Sequence, residues 1–262
     1  MAFRAVDWYD TPLYYDIIFD QHTAAEVAFV EAMYERWIDA RGKRRVLEPA
    51  CGSGRLVAAL VERGFAVNGF DANQSMLDFA ARRMVARRVS ASLRVGRMES
   101  FSYRRPFDLA HCFVSTFKYL TRAADARAHL ERVADALVPG GVYLLGFHLT
   151  EYEDRSTDRE RWHEARGGID VRCEVETAPA DPRARLEEVR SRLTVRRSGR
   201  LVARQETNWK FRTYSAAQFR RLVARVPALE LVAVHDFDYD PAVTHELGTD
   251  RLDVVAVLRR RD

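Results

Sequence analysis

Apolar positions in this chain fall into short runs separated by segments with helical spacing. Residues 45–48 read as a buried strand and 54–63 as a helix. The alternation continues with a strand at 66–71, a helix at 74–88, and strands at 93–95 and 107–113. A helix over 123–137 places Leu130, Val133 and Leu137 on one face. Pro139-Gly140-Gly141 reads as a turn, followed by a strand at 142–147. Upstream, residues 8–19 are rich in aromatics. A helix over 24–40 follows, with Val27, Val30, Tyr34, Trp37 and Ile38 on one side and Gly42 as its end.

Beyond His148 the period changes. Ile169, Val171, Cys173 and Val175 alternate with Asp170, Arg172, Glu174 and Glu176, as in a strand with one exposed face. A turn at 179–182 separates it from two further strands near 186–196 and 201–211, hinged at Ser198-Gly199. Ser215 is placed to cap a helix over 216–225. Strands at 229–237 and 252–258 close the chain as an antiparallel pair. The predicted fold class is therefore α/β: a doubly wound, mostly parallel seven-stranded sheet with an antiparallel last strand, and an antiparallel β cap inserted after strand five. The expected organisation is 1–150 for the aromatic segment, first helix and ligand-binding core, 151–213 for the cap, and 214–262 for the rest of the core.

The 262 residues, 47% hydrophobic, suffice for one such unit. The net charge of +4 is spread along the chain, and its densest basic stretches, 82–88 and 190–200, read first as solvated faces. Three cysteines, Cys51, Cys112 and Cys173, show no disulfide or zinc-site spacing. A reducing compartment and no metal are therefore expected. The N-terminus lacks the pattern of a signal peptide, and no apolar run is long enough to span a membrane. A cytoplasmic protein is the expectation.

The most informative segment is Glu48-Pro49-Ala50-Cys51-Gly52-Ser53-Gly54, where a buried strand runs through a loop of small residues into a helix. Small residues let a ligand approach the backbone, and the helix N-terminus offers free N–H groups. The dinucleotide fingerprint is incomplete, because Val57 stands where its third glycine belongs. The phosphate-loop pattern is absent. Asp71 ends the next strand, near the spacing expected for a ribose-binding carboxylate.

Together these segments resemble class I S-adenosylmethionine-dependent methyltransferases, a Rossmann-like family. The loop resembles the family's first motif, with Ala50 in place of its first glycine. The segment ending in Asp71-Ala72-Asn73-Gln74-Ser75-Met76 resembles its second. Val95-Gly96-Arg97-Met98-Glu99 resembles the adenine-contacting third, with Arg97 where an aspartate is common. The strand through Cys112-Phe113 resembles the fourth, and Leu137 to Tyr143 the turn into strand five. The resemblance covers about 46–148. It implies that S-adenosylmethionine is the cofactor and S-adenosylhomocysteine its product. It places Glu48, Ala50, Cys51, Gly52, Gly54, Arg55, Asp71, Ala72, Met76, Arg97, Met98, Glu99, Cys112 and Phe113 around the donor.

The aromatic N-terminus and the β cap are similar to those of small-molecule methyltransferases of the glycine and amino-sugar type. That similarity implies a small-molecule acceptor methylated on N or O by in-line displacement. Orientation supplies much of the rate. A base is optional for a neutral amine and useful for a hydroxyl. His148, at the carboxyl end of strand five, and Tyr15 are the candidate catalytic residues. Tyr14, Tyr119, Trp209 and Phe211 are candidate pocket residues. Three other readings stay open: an RNA or protein methyltransferase, a noncatalytic scaffold with this fold, and, more distantly, a dehydrogenase. The absent Asp/Asn-Pro-Pro-Tyr/Phe signature after strand four and the lack of an RNA-binding module speak against nucleic acid. A monomer and a homodimer are equally compatible with the sequence.

Overall fold

The computed structural model describes residues 2–39, 42–248 and 251–262. β1 (Arg4–Ala5), α1 (Pro12–Phe19) and α2 (Thr23–Trp37) precede the core. The core then alternates β2 (Arg45–Pro49), α3 (Arg55–Glu62), β3 (Ala66–Asp71), α4 (Gln74–Arg87), β4 (Ser92–Val95), β5 (Phe107–Cys112), α5 (Ala123–Ala136) and β6 (Leu137–His148). Four strands follow: β7 (Asp158–Arg166), β8 (Ile169–Thr177), β9 (Leu186–Arg197) and β10 (Arg200–Arg212). α6 (Ala216–Val223), β11 (Leu229–His235) and β12 (Asp253–Arg260) complete the chain.

The main sheet has the order β4-β3-β2-β5-β6-β12-β11. β4, β3, β2, β5 and β6 run parallel to one another, and β12 runs antiparallel to both β6 and β11. This is the predicted mostly parallel seven-stranded sheet. The chain winds outward in both directions from β2 and β5. Crevices form outside the carboxyl ends of strands at such a reversal.

Three local readings differ from the sequence pattern. Pro139-Gly140-Gly141 is not a free turn. It lies within the continuous strand β6, where the register against β5 shifts between Phe107 and Leu109. A Cβ on Gly141 would sit 2.9 Å from the carbonyl oxygens of Asp108 and Val138, so the backbones approach there as only glycine allows. The second sheet, β1-β10-β9-β8-β7, has two strands that the pattern did not announce, β1 and β7. β1 lies parallel to β10, which fastens the N-terminus to the far edge of this sheet. α2 stops at Trp37 rather than at residue 40, and residue 40 lies outside the described residues. α6 begins at the predicted cap: Ser215 Oγ accepts from the Gln218 N–H, and Gln218 Oε1 accepts from the Ser215 N–H.

Inside the core, His129 of α5 is fully buried. Its ring nitrogens contact the Met98 carbonyl (3.0 Å) and the Tyr143 hydroxyl (2.7 Å). Burial pushes its pKa down to about 4. The unfolded chain therefore binds a proton that the folded chain refuses between about pH 6.5 and pH 4. Stability should fall as pH drops through that window, by up to about 1.4 kcal/mol per pH unit from this residue. Calorimetric unfolding between pH 7 and pH 4.5 checks this, with His129→Phe expected to flatten the dependence.

Candidate active site

The loop after β2 turns on residues with positive φ: Ala50 (54°), Gly52 (52°) and Gly54 (69°). Gly52 and Gly54 serve different ends. Nothing lies within 4 Å of where a Gly52 Cβ would be, so its backbone is open to approach. A Cβ on Gly54 would meet Ala80 Cβ at 2.7 Å, so Gly54 lets α3 begin tight against α4 rather than walling a site. Asp71, half-buried at the end of β3, accepts from the Gly52 N–H (2.8 Å) through Oδ2 and from the Asn73 N–H (2.8 Å) through Oδ1. Burial pushes its carboxyl up, against the pull of the Asn73, Gly52 and Ala72 amides. The loop and the Asp71 carboxylate are thus one hydrogen-bonded unit.

Beneath the loop, Glu48 is buried, and its Oε2 has no hydrogen-bond partner. Both ring nitrogens of His111 on β5 are likewise buried without one, and His111 Nε2 stands 3.9 Å from Glu48 Oε2. Burial raises the Glu48 pKa well above the usual carboxylate range and lowers that of His111 to about 3. Unpaired buried polar atoms are costly and concentrate at functional sites. A small cavity of about 50 Å³ lies here, lined by Glu48, Ala50, Cys51, Gly52, Cys112 and Phe113 among others.

Arg55 also lines this space, but its guanidinium is held by the buried Glu26 carboxylate and by Thr23 Oγ1. Met76 is buried in α4, where its N–H is capped by Asn73 Oδ1. Ala72 is exposed beside Asp71. Arg97 faces solvent in an ion pair with Glu99 (2.5 Å), and the Met98 carbonyl is engaged by His129. The structure thus gathers Glu48, Ala50, Cys51, Gly52, Arg55, Cys112 and Phe113 around the smaller cavity, joins Asp71 to it through the Gly52 N–H, and places Gly54 against α4, Met76 in the core and Arg97 on the surface.

A larger cavity of about 560 Å³ opens between the carboxyl ends of the core strands and the second sheet. Tyr15, Tyr119, Trp209, Phe211 and His148 line it, whereas Tyr14 does not. Tyr15 and Phe19 of α1, with Val114 and Thr116 after β5, line both cavities, so α1 forms the wall they share. Val114 and Ser115 both have positive φ (55° and 62°), an uncommon conformation for two successive non-glycine residues.

The sequence pattern did not point to several other lining residues: Trp8, Lys118, Asp158, Glu160, Trp162 and Glu187. Lys118 Nζ donates to Glu187 Oε1 at 2.7 Å, both buried. His148 Nδ1 bonds Asp253 Oδ1, and that bond lowers the Asp253 pKa. The charges of β7 are sorted by face. Asp158, Glu160 and Trp162 face the cavity, while Arg159 and Arg161 on the other face pair with Glu176 and Glu174. The Asp-Arg-Glu-Arg-Trp order of residues 158–162 carried that signal in its alternation of sign.

Asp16 binds this arrangement together. It is fully buried on α1 and accepts from Ser53 Oγ (2.6 Å), from Arg83 Nη2 on α4 through both oxygens (2.6 and 2.5 Å), and from Arg166 Nη2 on β7 (2.5 Å). One carboxylate ties α1 to the loop, to the core and to the second sheet.

Residues 46–141 match the model of a family described as a methyltransferase domain. This segment is a methyltransferase domain. A curated relative, the dTDP-3-amino-3,6-dideoxy-alpha-D-glucopyranose N,N-dimethyltransferase of Streptomyces fradiae, is 33% identical over 100 residues, 38% of either chain. The matches span about half the length, or less, of the curated relatives. Solved structures match the methyltransferase domain and the second sheet together. DesVI of Streptomyces venezuelae has a TM-score of 0.76 at 18% identity, covering 99% of this chain and 100% of that one. The sugar N-methyltransferase of Streptoalloteichus sp. ATCC 53650 has a TM-score of 0.73 at 18% identity, covering 100% and 96%. These likenesses establish the fold across the whole chain.

Proposed function

We propose that the protein transfers a methyl group from S-adenosylmethionine to an amine on a small molecule. The observation that carries this reading is the adjacency of the two cavities. The methyltransferase-domain loop with Asp71 opens on one side of α1, and an aromatic, carboxylate-lined cavity opens on the other. When bound, S-adenosylmethionine supplies an electrophilic methyl on a sulfonium. The open backbone at Gly52 and the Asp71 carboxylate suit the ribose and its diol, and Tyr15 and Phe19 present aromatic faces where a cation would be favoured.

The acceptor reading rests on charge. Glu151, Asp154, Asp158 and Glu160 line the larger cavity with no ion-pair partner among the described residues. Its two basic groups, Lys118 and His148, already have partners in Glu187 and Asp253. Such a lining attracts a protonated amine and packs its body against Trp8, Trp162 and Trp209. Because His148 Nδ1 is taken by Asp253, Nε2 is the nitrogen placed to accept the proton that an ammonium must lose before it can attack. Related chains named as sugar N-methyltransferases support the amine over the hydroxyl.

Methyl-labelled donor, offered with amines and their matched alcohols, tests the reading. Incorporation into amines alone is expected. In the variant combining Asp158→Asn and Glu160→Gln, KM for the amine should rise about tenfold, the loss of one to two partly screened charge contacts, while kcat changes little. Labelling of alcohols, or an unchanged KM, would overturn the amine assignment.

A further inference from the structure

A separate cavity of about 290 Å³ lies at the start of α5, against α6 and the ends of β9 and β10. Five arginines line it, Arg127, Arg185, Arg212, Arg221 and Arg225, together with Tyr214, and no carboxylate does. Arg127 pairs with Glu131 at 3.4 Å. Arg212 donates from Nη1 to the Thr121 carbonyl (2.8 Å). Arg185, Arg221 and Arg225 have no ion-pair partner among the described residues.

Two of the lining groups are buried yet incompletely satisfied. Arg212 is 8% exposed and Tyr214 1%, and Arg212 Nε and Tyr214 Oη have no hydrogen-bond partner. Arg185, half-buried, also has its Nε without a hydrogen-bond partner. Ala123 and Ala124, the first residues of the 14-residue helix α5, also line the cavity, and no side chain caps this helix. Its first N–H groups are therefore available, at the positive end of the helix dipole. Gathering several guanidinium groups without acidic partners is unfavourable unless an anion joins them.

We propose that this cavity binds a phosphate-bearing small molecule. Guanidinium forks match phosphate oxygens, and a helix N-terminus adds backbone donors to the same oxygens. The volume suits one or two phosphate groups. Arg190 and Arg192, farther along β9, are already paired with Glu176 and Glu206. A free anion and the phosphate tail of a larger molecule share this chemistry. The site is distinct from the acceptor cavity, since Arg212 follows Phe211 on β10 and successive strand residues point to opposite faces.

Titration calorimetry of the full chain with pyrophosphate at low salt tests the site. Saturable binding is expected, weakened about a hundredfold when Arg221→Glu and Arg225→Glu are combined, as loss of two charge-assisted contacts requires. Both side chains are exposed, so the fold should persist, which retained S-adenosylhomocysteine binding or an unchanged unfolding transition would verify. A thymidine diphosphate arm separates the sources. Tighter binding than pyrophosphate identifies a phosphate tail, and equal or weaker binding a free anion. No heat from pyrophosphate at about 1 mM, or binding indifferent to the double variant, would overturn the proposal.

Discussion

Asp71→Ala should weaken S-adenosylhomocysteine binding by about a hundredfold or more. Two losses add. The carboxylate is the acceptor proposed for the ribose hydroxyls, and hydrogen bonds to a charged group contribute about 1.5–3 kcal/mol each. Asp71 also accepts from the Gly52 and Asn73 amides at 2.8 Å, so its removal frees the loop that the donor would lie against. Asp71→Asn separates the two effects. The amide oxygen can still accept from one backbone N–H, so the loop should hold better while the charge toward the diol is gone. Calorimetry with all three proteins checks the order: wild type tightest, Asn intermediate, Ala weakest. Equal affinities in well-folded proteins would remove Asp71 from the donor site.

Asp16→Ala should have the largest effect on stability. The carboxylate is fully buried among two arginines and a serine hydroxyl, and Arg83 is itself 9% exposed. Removing one partner of a buried ion pair leaves the other charge uncompensated, at a cost of about 3–5 kcal/mol. For a chain of this size that corresponds to a fall of roughly 6–15 °C in Tm. Arg166 is 41% exposed on its side of the pair, so Arg166→Ala should cost far less, roughly 1 kcal/mol. The two changes share one carboxylate, so their combined effect should fall short of the sum. A double-mutant cycle by thermal unfolding measures that shortfall. Additive effects would mean that α1 and β7 are not joined through Asp16.

The difference between these residues in legibility has a physical cause. Asp71 could be read from the chain because strand, small-residue loop and strand-end carboxylate are local features at fixed spacing. The alternation of β2 through β6 was legible for the same reason, since strands buried on both faces leave short apolar runs between amphipathic helices. Asp16 was not legible. It sits between Tyr15 and Ile17 like any helix-surface charge, and its partners are 37, 67 and 150 residues away. β7 was missed because its inward positions include Asp158 and Glu160 rather than apolar residues. A strand facing a polar cavity loses the alternation that marks one facing a core. Tyr14 and Tyr15 could not be separated by pattern either, since only the docking of α1 decides which of them faces the cavity.

The tethering of α1 and β1 also sets the order in which the molecule can be built. Residues 2–19 emerge before the rest of this sequence during synthesis, yet several of the groups that hold them come much later. Trp8 N–H waits for Thr207 Oγ1, 199 positions downstream, and Asp16 for Arg166. Until β10 exists, the N-terminus has no sheet edge to join, while the parallel core can already collapse from β2 onward. Contacts of such long sequence separation carry a large loop-closure cost and are slow to form. A ribosome-bound intermediate lacking β7 to β10 would therefore hold the Asp16 carboxylate of α1 only through Ser53 and Arg83, and the side of α1 that faces the larger cavity would stay uncovered.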